Sequence, residues 1–444
     1  DFTVASDESL TGRLLGMRRQ AFAALGDRRL ADGRIAGRAP AVTVTDVREG
    51  GQDPGRGRRV TGTVSVPCFL DRPGCPTGAR FPRVGPRARG TLEARFVCTI
   101  PRAALAEGAP PATPVLYGHG LLGSADEVDS GALRRAAEEQ GFVICGADWI
   151  GMAREDLPTV QAILADLSRF PALADRLQQG QLDFLLLGRA MAHPAGLAAE
   201  PAFRRPDGSP VLGGDLGFSG NSQGGILGGA LTAVAPDFRR AALGVPAINY
   251  STLLPRSVDF EPFSGLLARS YPRPADRPLA LSLVQILWDR GEGDGYAHRM
   301  TARPPPDTPP HQVLLIEAFG DHQVANAATE VLARSIGAGV RTPALDPGRS
   351  LDRVPFAGIP RLRSGPLSGN VLLPFDVGPV RDDGTGGTPP PPVTPTPPSV
   401  GQDPHGLLGL SPVPPAVVAS YLRTGTVPDP CAGRPCYAAG WTGP

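Results

Sequence analysis

The sequence feature that most constrains the fold is the stretch from residue 214 to residue 230, GDLGFSGNSQGGILGGA. A short apolar run at 216–218 leads into the pentapeptide GNSQG, centred on Ser222, and a run of small apolar residues typical of a buried helix follows at once. Strand, sharp turn and helix in this order predict that Ser222 projects from a strained turn at a strand end, where bulky neighbours would clash. Because the chain has 57 glycines, a chance match in a Gly-rich loop is the alternative.

Strand-like and helix-like segments alternate from residue 114 onward. Continuous apolar runs, typical of strands covered on both faces, lie at 114–118, 141–149, 240–247 and 311–320, and helical patterns lie at 132–140, 159–191 and 326–337. Earlier runs of alternating apolar and polar residues predict strands at 41–47, 58–69 and 90–100. These three form either a separate β domain or the antiparallel start of a larger sheet, and the lack of a linker favours the second. The sequence therefore predicts a mainly parallel sheet with helices on both faces.

The domain organisation follows from breaks in this alternation. We expect an N-terminal extension at residues 1–57, a main α/β domain at 58–425 and a C-terminal tail at 426–444. Residues 251–310 combine aromatic side chains with prolines and glycines, which suits either a cap over a pocket or an ordinary surface insertion. A proline-rich insertion at 384–400 is expected to be extended and polyproline-like.

A serine hydroxyl is a weak nucleophile near neutral pH, so Ser222 needs a base and an acid that orients the base. Of the six histidines, His119 follows a strand in YGHGLLGS and suits an oxyanion loop, and His322 directly follows Asp321, where neighbouring side chains diverge. Three others are predicted to be structural or exposed, namely His193, His298 and His311. His405, in GQDPHGLLG, is therefore the candidate base.

Asp321 is the candidate acid, because it lies in the loop after the apolar run at 311–320. Ser222, Asp321 and His405 then occur in the chain order of elbow-type hydrolases, which differs from the orders in chymotrypsin and subtilisin. The alternatives are that Asp321 caps the following helix and that His405 is an ordinary loop histidine.

These residues together resemble the α/β-hydrolase superfamily, specifically its serine esterases and lipases, over roughly residues 58–425. The resemblance implies an eight-stranded, mostly parallel sheet with antiparallel first strands. It also implies an oxyanion hole made by the backbone amides of Gln223 and Leu121, with Gly120 as the alternative for the second donor. The proline-rich insertion before His405 and the long N-terminal segment depart from the superfamily pattern.

Several residues are candidates for binding substrate. His119 and Gly120 lie in the oxyanion loop, and Asp148 and Trp149 follow a strand whose carboxyl end should face the site. Trp288 lies in the aromatic segment that we expect to cap the pocket.

An acidic loop, WDRGEGDGYAH at 288–298, contains Asp289, Glu292 and Asp294. It lacks the spacing of a calcium loop, so a hydrogen-bonded loop is favoured over a cation site. We predict neither a metal ion nor a cofactor.

The cysteines indicate an oxidising compartment. Cys431 and Cys436 bracket a short loop that predicts a local disulfide, whereas Cys145 lies in an apolar strand-like run and is expected to be a buried free thiol. One pair is expected among the other three, Cys68, Cys75 and Cys98, but spacing does not choose it. A zinc site is excluded because no matching histidine pair or second CxxC occurs.

Charge and composition exclude several functions. All 44 basic residues are arginine and 43 residues are acidic, so the near-zero net charge gives no footprint for nucleic acid, and a lysine nucleophile is excluded. No apolar run reaches the length that crosses a bilayer. Because the chain starts at Asp1 without a leader, we interpret it as a mature or trimmed product that is secreted or periplasmic.

The sequence thus predicts a serine hydrolase that cleaves small-molecule or polymeric carboxylic esters through an acyl-enzyme. A peptidase, amidase or acyltransferase would use the same residues. A catalytically silent binding module is the alternative of another class. The sequence does not indicate an oligomeric state.

Overall fold

The computed structural model describes residues 5–51, 57–83, 85–363 and 365–444. The strands in this part of the chain are β1 (Val42–Glu49), β2 (Arg58–Pro67), β3 (Thr91–Ile100), β4 (Thr113–Gly118), β5 (Phe142–Ala147), β6 (Gly217–Asn221), β7 (Arg240–Gly244), β8 (Gln312–Ala318), β9 (Gly339–Thr342), β10 (Arg361–Arg363), β11 (Leu367–Ser368), β12 (Val371–Asp376), β13 (Thr426–Val427) and β14 (Cys436–Tyr437). The α-helices are α1 (Arg13–Ala24), α2 (Arg102–Leu105), α3 (Gly131–Gln140), α4 (Leu157–Ala165), α5 (Pro171–Ala192), α6 (Gln223–Val234), α7 (Tyr250–Leu253), α8 (Glu261–Ser270), α9 (Asp276–Trp288), α10 (Ala297–Met300), α11 (Asn326–Ile336) and α12 (Val413–Thr424).

One large sheet organises the molecule, with strand order β1-β2-β3-β5-β4-β6-β7-β8-β12-β9-β10. The first strands are antiparallel, since β1 pairs with β2, β2 with β3 and β3 with β5 in opposite directions. From β5 to β10 every pairing along the order is parallel. The mainly parallel sheet with antiparallel N-terminal strands is therefore confirmed. Because parallel neighbours end at the same edge, the loops after β4, β6, β8 and β12 meet there.

Helices cover both faces of the sheet, as the apolar strands predict. Neighbouring residues on β8 point to opposite faces, with Leu315 in one apolar core and Leu314 in the other. The first core takes side chains from α1, α5, α6 and α11, and the second from α3 and α12. Burial of strands on both sides explains why they read as continuous apolar runs rather than alternating ones.

The chain ends join the same body. Helix α1 buries Leu14 and Phe22 in the first core, and β1 adds a strand to the sheet. The C-terminal segment contributes β14, which pairs in parallel with β12. Helix α1 and strands β1 and β14 lie in the two segments that the sequence separates from the main domain, and they pack directly against it.

Three disulfides link all six cysteines, as Cys68–Cys75, Cys98–Cys145 and Cys431–Cys436. The local bridge at the C-terminus is confirmed. The prediction of a free thiol at Cys145 is wrong, because Cys145 on β5 lies directly opposite Cys98 on β3. The apolar sequence of β5 suggested a buried free thiol. Cysteine spacing does not reveal that β3 and β5, which are distant in the chain, pair as antiparallel strands.

Within the described residues, no helix combines the length and the apolar composition needed to cross a bilayer.

Candidate active site

Ser222 occupies the turn between β6 and α6, at the edge where the parallel strands end. Its backbone has φ 58° and ψ −126°, a conformation that L residues rarely adopt and that costs about 1–3 kcal/mol. The flanking glycines allow this turn, because a Cβ on Gly224 would lie 2.0 Å from the carbonyl oxygen of Gly118 and one on Gly220 would lie 2.4 Å from that of Gly224. The strand, turn and helix predicted around Ser222 are therefore confirmed.

Asp321 lies in the turn that follows β8. Its Oδ1 accepts hydrogen bonds from the backbone amides of Gln323 and Val324, both at 2.8 Å, which fixes the carboxylate. Helix α11 starts later, at Asn326, with Ala325 as its N-cap, so Asp321 does not cap that helix. Its Oδ2 is 2.8 Å from Nδ1 of His405.

His405 lies after β12 and the proline-rich insertion, and its side chain is 10% exposed. Because Nδ1 faces the Asp321 carboxylate, the proton belongs on Nδ1 and the lone pair on Nε2. Burial lowers the pKa of the imidazole, but the negative charges of Asp321, Asp403 and Asp259 raise it by more, so the pKa of His405 lies above its ordinary value.

The structure thus brings the candidate acid and base into direct contact. Within the described part of the chain, neither Nε2 of His405 nor Oγ of Ser222 has a hydrogen-bond partner. Ser222 and Asp259 line one cavity, and His405 lines a second one together with Asn221, the residue that precedes Ser222.

The other histidines contact structural partners. The ring of His322 faces the hydroxyl of Thr388 at 3.3 Å, and that of His311 is buried beside the carbonyl of Ala235. His193 and His298, both partly exposed, contact the carbonyl of Gly37 and the carboxylate of Asp7. Each therefore has a partner away from the Asp321 carboxylate.

The loop after β4 presents backbone amides toward the elbow. The amide of Gly120 donates to Oε2 of Glu127 at 2.8 Å, and the amide of Leu122 faces Oε1 of Gln223 at 3.4 Å. In the described part of the chain, the amides of Leu121 and Gln223 are left without acceptors. These are the two donors that the sequence resemblance implies, whereas the alternative donor, Gly120, is already used.

The side chain of His119 links this loop to the end of β5 through two hydrogen bonds. Its Nε2 accepts the backbone amide of Trp149 at 2.8 Å, so its Nδ1 carries the proton and donates to the carbonyl of Gly120 at 2.8 Å. Burial lowers the pKa of His119, which keeps the imidazole neutral and suited to this pair of bonds. His119 is 1% exposed and does not line the cavity at Ser222, so it shapes the loop rather than contacting a ligand there.

A narrow apolar cavity of about 80 Å³ lies beside Ser222. Helices α4 and α5 supply one wall, including Ile163 and Leu173, and the segment between β7 and β8 supplies another, including Phe260, Val284 and Trp288. Trp288 thus lies where the sequence predicts. Within residues 251–310, the side chains that line this cavity lie between Leu253 and Trp288.

Two predicted pocket residues lie elsewhere. Trp149 is fully buried in the core and stacks on Phe184 with ring centroids 3.6 Å apart. The Asp148 carboxylate accepts the amide of Ala125 at 2.6 Å and lies 3.7 Å from Arg95. Neither lines the cavity at Ser222. The strand end does face the site, but the side chains at this end turn into the core and toward the antiparallel strands.

The acidic loop packs against the nucleophile helix. Side-chain oxygens of Asp289, Glu292 and Asp294 lie within 4.8 Å of one another, close enough to hold a cation. Glu292 accepts hydrogen bonds from the amide of Asn249 at 3.0 Å, the side chain of Gln285 at 2.8 Å and the amide of Asp294 at 2.8 Å. Burial raises the pKa of Glu292 to about 8 and that of Asp289 to about 6. These bonds form the hydrogen-bonded loop that the sequence predicts.

Sequence reasoning did not identify two acidic residues near the base, Asp259 and Asp403. Asp259 lines the cavity with Ser222, and Asp403 lies two residues before His405. For Asp403 the available signal was the pattern Asp-Pro-His, in which an aspartate side chain accepts an amide two residues later. Asp259 gives no comparable signal, because its proximity to His405 depends on the path of a distant segment.

No protein-family model matches the chain, and no curated protein matches it. Among solved structures it is similar to acetyl xylan esterase 1 from Thermoanaerobacterium sp. JW/SL YS485, with 14% identity, a TM-score of 0.38 and coverage of 84% of this chain and 95% of that one. It is also similar to an acetyl xylan esterase from Paenibacillus sp. R4, with 13% identity, a TM-score of 0.38 and coverage of 72% and 82%. The Pyrococcus horikoshii acylaminoacyl peptidase gives 13% identity and a TM-score of 0.35, and the match spans 55% of this chain but only 33% of the peptidase.

Structural similarities with TM-scores this low carry no information about the activity of this protein. The fold follows instead from the chain itself, from the strand order and from the positions of Ser222, Asp321 and His405 after β6, β8 and β12. This is the α/β-hydrolase fold. It has one strand more than the expected eight at its antiparallel end, β1, and further short strands beyond β12.

Proposed function

We propose that this protein is a serine hydrolase that cleaves carboxylic esters through an acyl-enzyme. The observation that carries the proposal is the contact of 2.8 Å between Nδ1 of His405 and the Asp321 carboxylate, because it leaves Nε2 without a hydrogen-bond partner among the described residues. A buried imidazole held in this tautomer is suited to accept the proton of a serine hydroxyl.

The reaction proceeds in two halves. Oγ of Ser222 attacks the ester carbonyl while Nε2 of His405 takes its proton, and the amides of Leu121 and Gln223 stabilise the negative charge that develops on the carbonyl oxygen. The carbon–oxygen bond to the alcohol breaks, and the alcohol leaves with the proton from His405. Water, deprotonated by His405, then attacks the acyl group, and the acid leaves as Ser222 regains its proton.

The cavity supports an apolar acyl group. Among the described residues, the only charged side chain in its lining is Asp259, and most of the other side chains are aliphatic or aromatic. Transfer of apolar groups from water to such a wall is favourable by roughly 25 cal/mol per Å². We therefore expect neutral acyl chains to bind better than charged ones.

Hydrolysis of short p-nitrophenyl esters by the purified full chain tests the proposal. Ser222→Ala is expected to lower kcat by at least about 10³-fold, since losing the nucleophile removes the acyl-enzyme route. Ser219→Ala, on the same strand β6, is the matched control and should keep wild-type activity. Equal hydrolysis by Ser222→Ala and wild type would show that the proposal is wrong.

We further propose that the protein works outside the cytoplasm, in the periplasm or after secretion. The three disulfides support this, because such bonds persist mainly in oxidising compartments. Cell fractionation followed by thiol alkylation measures the compartment of the protein and the oxidation state of its cysteines. The protein should appear in exported fractions with no reactive thiol, whereas reduced protein in the cytoplasm would contradict the proposal.

A further inference from the structure

The candidate base lies in a long loop, residues 377–407, which makes no helix or strand and contains the proline-rich insertion at 384–400. The two ends of this loop nevertheless meet, because the amide of Gln402 donates to the carbonyl of Gly387 at 2.6 Å. Thr388 ties the start of the loop to the acid turn, with its hydroxyl donating to the carbonyl of Gly320 at 3.1 Å. The insertion therefore leaves and returns beside the end of β8.

Asp403 joins the acid turn to the base turn. Its Oδ1 accepts the backbone amide of His405 at 3.0 Å and that of His322 at 3.2 Å. Its Oδ2 accepts the side-chain amide of Gln323 at 2.7 Å. His322 and Gln323 directly follow Asp321, so one carboxylate holds both turns whose side chains form the acid–base contact.

A purely local role does not explain these bonds. An aspartate that only closes its own turn needs the amide of His405 alone. The other two bonds reach residues about 80 positions earlier in the chain, on the turn after β8. A third segment also binds to that turn, since the amide of Val258 donates to the carbonyl of His322 at 3.0 Å.

We propose that Asp403 is the positioning residue that holds His405 in register with Asp321 after the proline-rich insertion. This role rests on the proposed function. Apart from the bonds of Asp403, the contact between the imidazole and Asp321 is the hydrogen bond that joins the turn at His405 to the turn after β8 in the described residues. Because a displacement of about 1 Å in a reacting group costs on the order of 10² in rate, Asp403→Ala should lower kcat by about 10²-fold and change KM by less than about threefold.

The charge of Asp403 gives a second readout. The ionisable groups that face the His405 imidazole are the carboxylates of Asp321 and Asp403 and, from the segment between β7 and β8, that of Asp259. Asp403→Asn keeps an oxygen that can accept the amides but removes one negative charge. It should restore much of kcat relative to Asp403→Ala, and it should shift the acid limb of kcat/KM to lower pH, because less negative charge stabilises the protonated imidazole.

Asp383→Ala is the matched control for both variants. Asp383 lies in the same long loop and closes a turn by accepting the amide and hydroxyl of Thr385 at 2.9 and 2.6 Å, away from both catalytic turns. It should keep wild-type kcat and the wild-type pH profile.

The experiment compares the full-length wild type with Asp403→Ala, Asp403→Asn, Asp383→Ala and Ser222→Ala. It measures kcat and KM on p-nitrophenyl esters from about pH 5 to about pH 9, together with thermal unfolding of each variant. A kcat for Asp403→Ala within threefold of wild type, or an unshifted acid limb in Asp403→Asn, would overturn the inference. If Asp403→Ala does not fold, the acid limb of Asp403→Asn decides. Activity retained in Ser222→Ala would instead refute the proposed function, whereas an inactive Ser222→Ala beside a fully active Asp403→Ala refutes this role alone.

Discussion

The side chain of Gln223 holds the loop that carries one of the two proposed oxyanion donors. It is 1% exposed, and its Nε2 donates to the carbonyls of Met152 at 2.9 Å and Gly120 at 3.3 Å, while its Oε1 faces the amide of Leu122 at 3.4 Å. Its contacts with Gly120 and Leu122 lie on either side of Leu121 in the chain. Gln223→Ala keeps the backbone amide of residue 223 but removes the support that fixes the amide of Leu121.

The expected loss of kcat in Gln223→Ala follows from displacement of the Leu121 amide. Losing one oxyanion donor costs about 3 kcal/mol of transition-state stabilisation, which corresponds to roughly 10² in kcat, with little change in KM because the charge forms only in the transition state. Two of the three bonds are long, so the loss of folding stability should be smaller, about 1–3 kcal/mol.

Steady-state kinetics and urea unfolding of Gln223→Ala measure the two effects separately. Gln179→Ala is the matched control, because Gln179 is also fully buried and binds the amide of Phe69 at 3.0 Å and the carbonyl of Pro67 at 3.1 Å, away from the elbow. The control should lose similar stability but no kcat. If Gln223→Ala keeps kcat within threefold while losing as much stability as the control, the reasoning about the oxyanion loop fails.

Three further predictions concern stability, pH and substrate choice. Replacing both Cys98 and Cys145 by alanine should lower the free energy of unfolding by about 4 kcal/mol in urea titrations, since the bridge closes a loop of 47 residues; a change below about 1 kcal/mol would contradict this. Since His405 must be neutral to act as a base and its pKa is raised by the surrounding carboxylates, kcat/KM should fall as pH drops through a midpoint above about 6.5, and a midpoint below that value in a pH–rate profile would count against it. Val284→Phe narrows the cavity at Ser222 and should lower kcat/KM at least about tenfold for long-chain p-nitrophenyl esters but not for the acetate, and equal losses for both would refute an acyl-binding role.

The elbow could be predicted from sequence because its signal is local. The glycine before Ser222 is required by a contact within the strand–turn–helix unit itself, since a Cβ on Gly220 would lie 2.4 Å from the carbonyl oxygen of Gly224. The fold class could also be predicted, because strands that are buried on both faces give continuous apolar runs in the sequence. Asp321 was predicted from its position after an apolar run and His405 by elimination among the six histidines, and the structure places the two side chains in contact.

Features that depend on distant pairing could not be predicted in the same way. The bridge between Cys98 and Cys145 requires β3 to lie beside β5, although β4 comes between them in the chain. Trp149 follows a strand at the active-site edge, but its side chain fills the core against Phe184. The contacts of Asp403 with the turn after β8 arise only when the insertion folds back, which no local pattern records.

Labelling with a fluorophosphonate probe, followed by peptide mass mapping, tests the central claim most directly. The probe forms a covalent adduct only with a serine that is activated by a base beside an oxyanion hole. We expect one adduct, on the peptide that contains Ser222, with no labelling of Ser222→Ala and much slower labelling of His405→Ala. An unlabelled wild-type protein, or an adduct that persists in Ser222→Ala, would contradict the account.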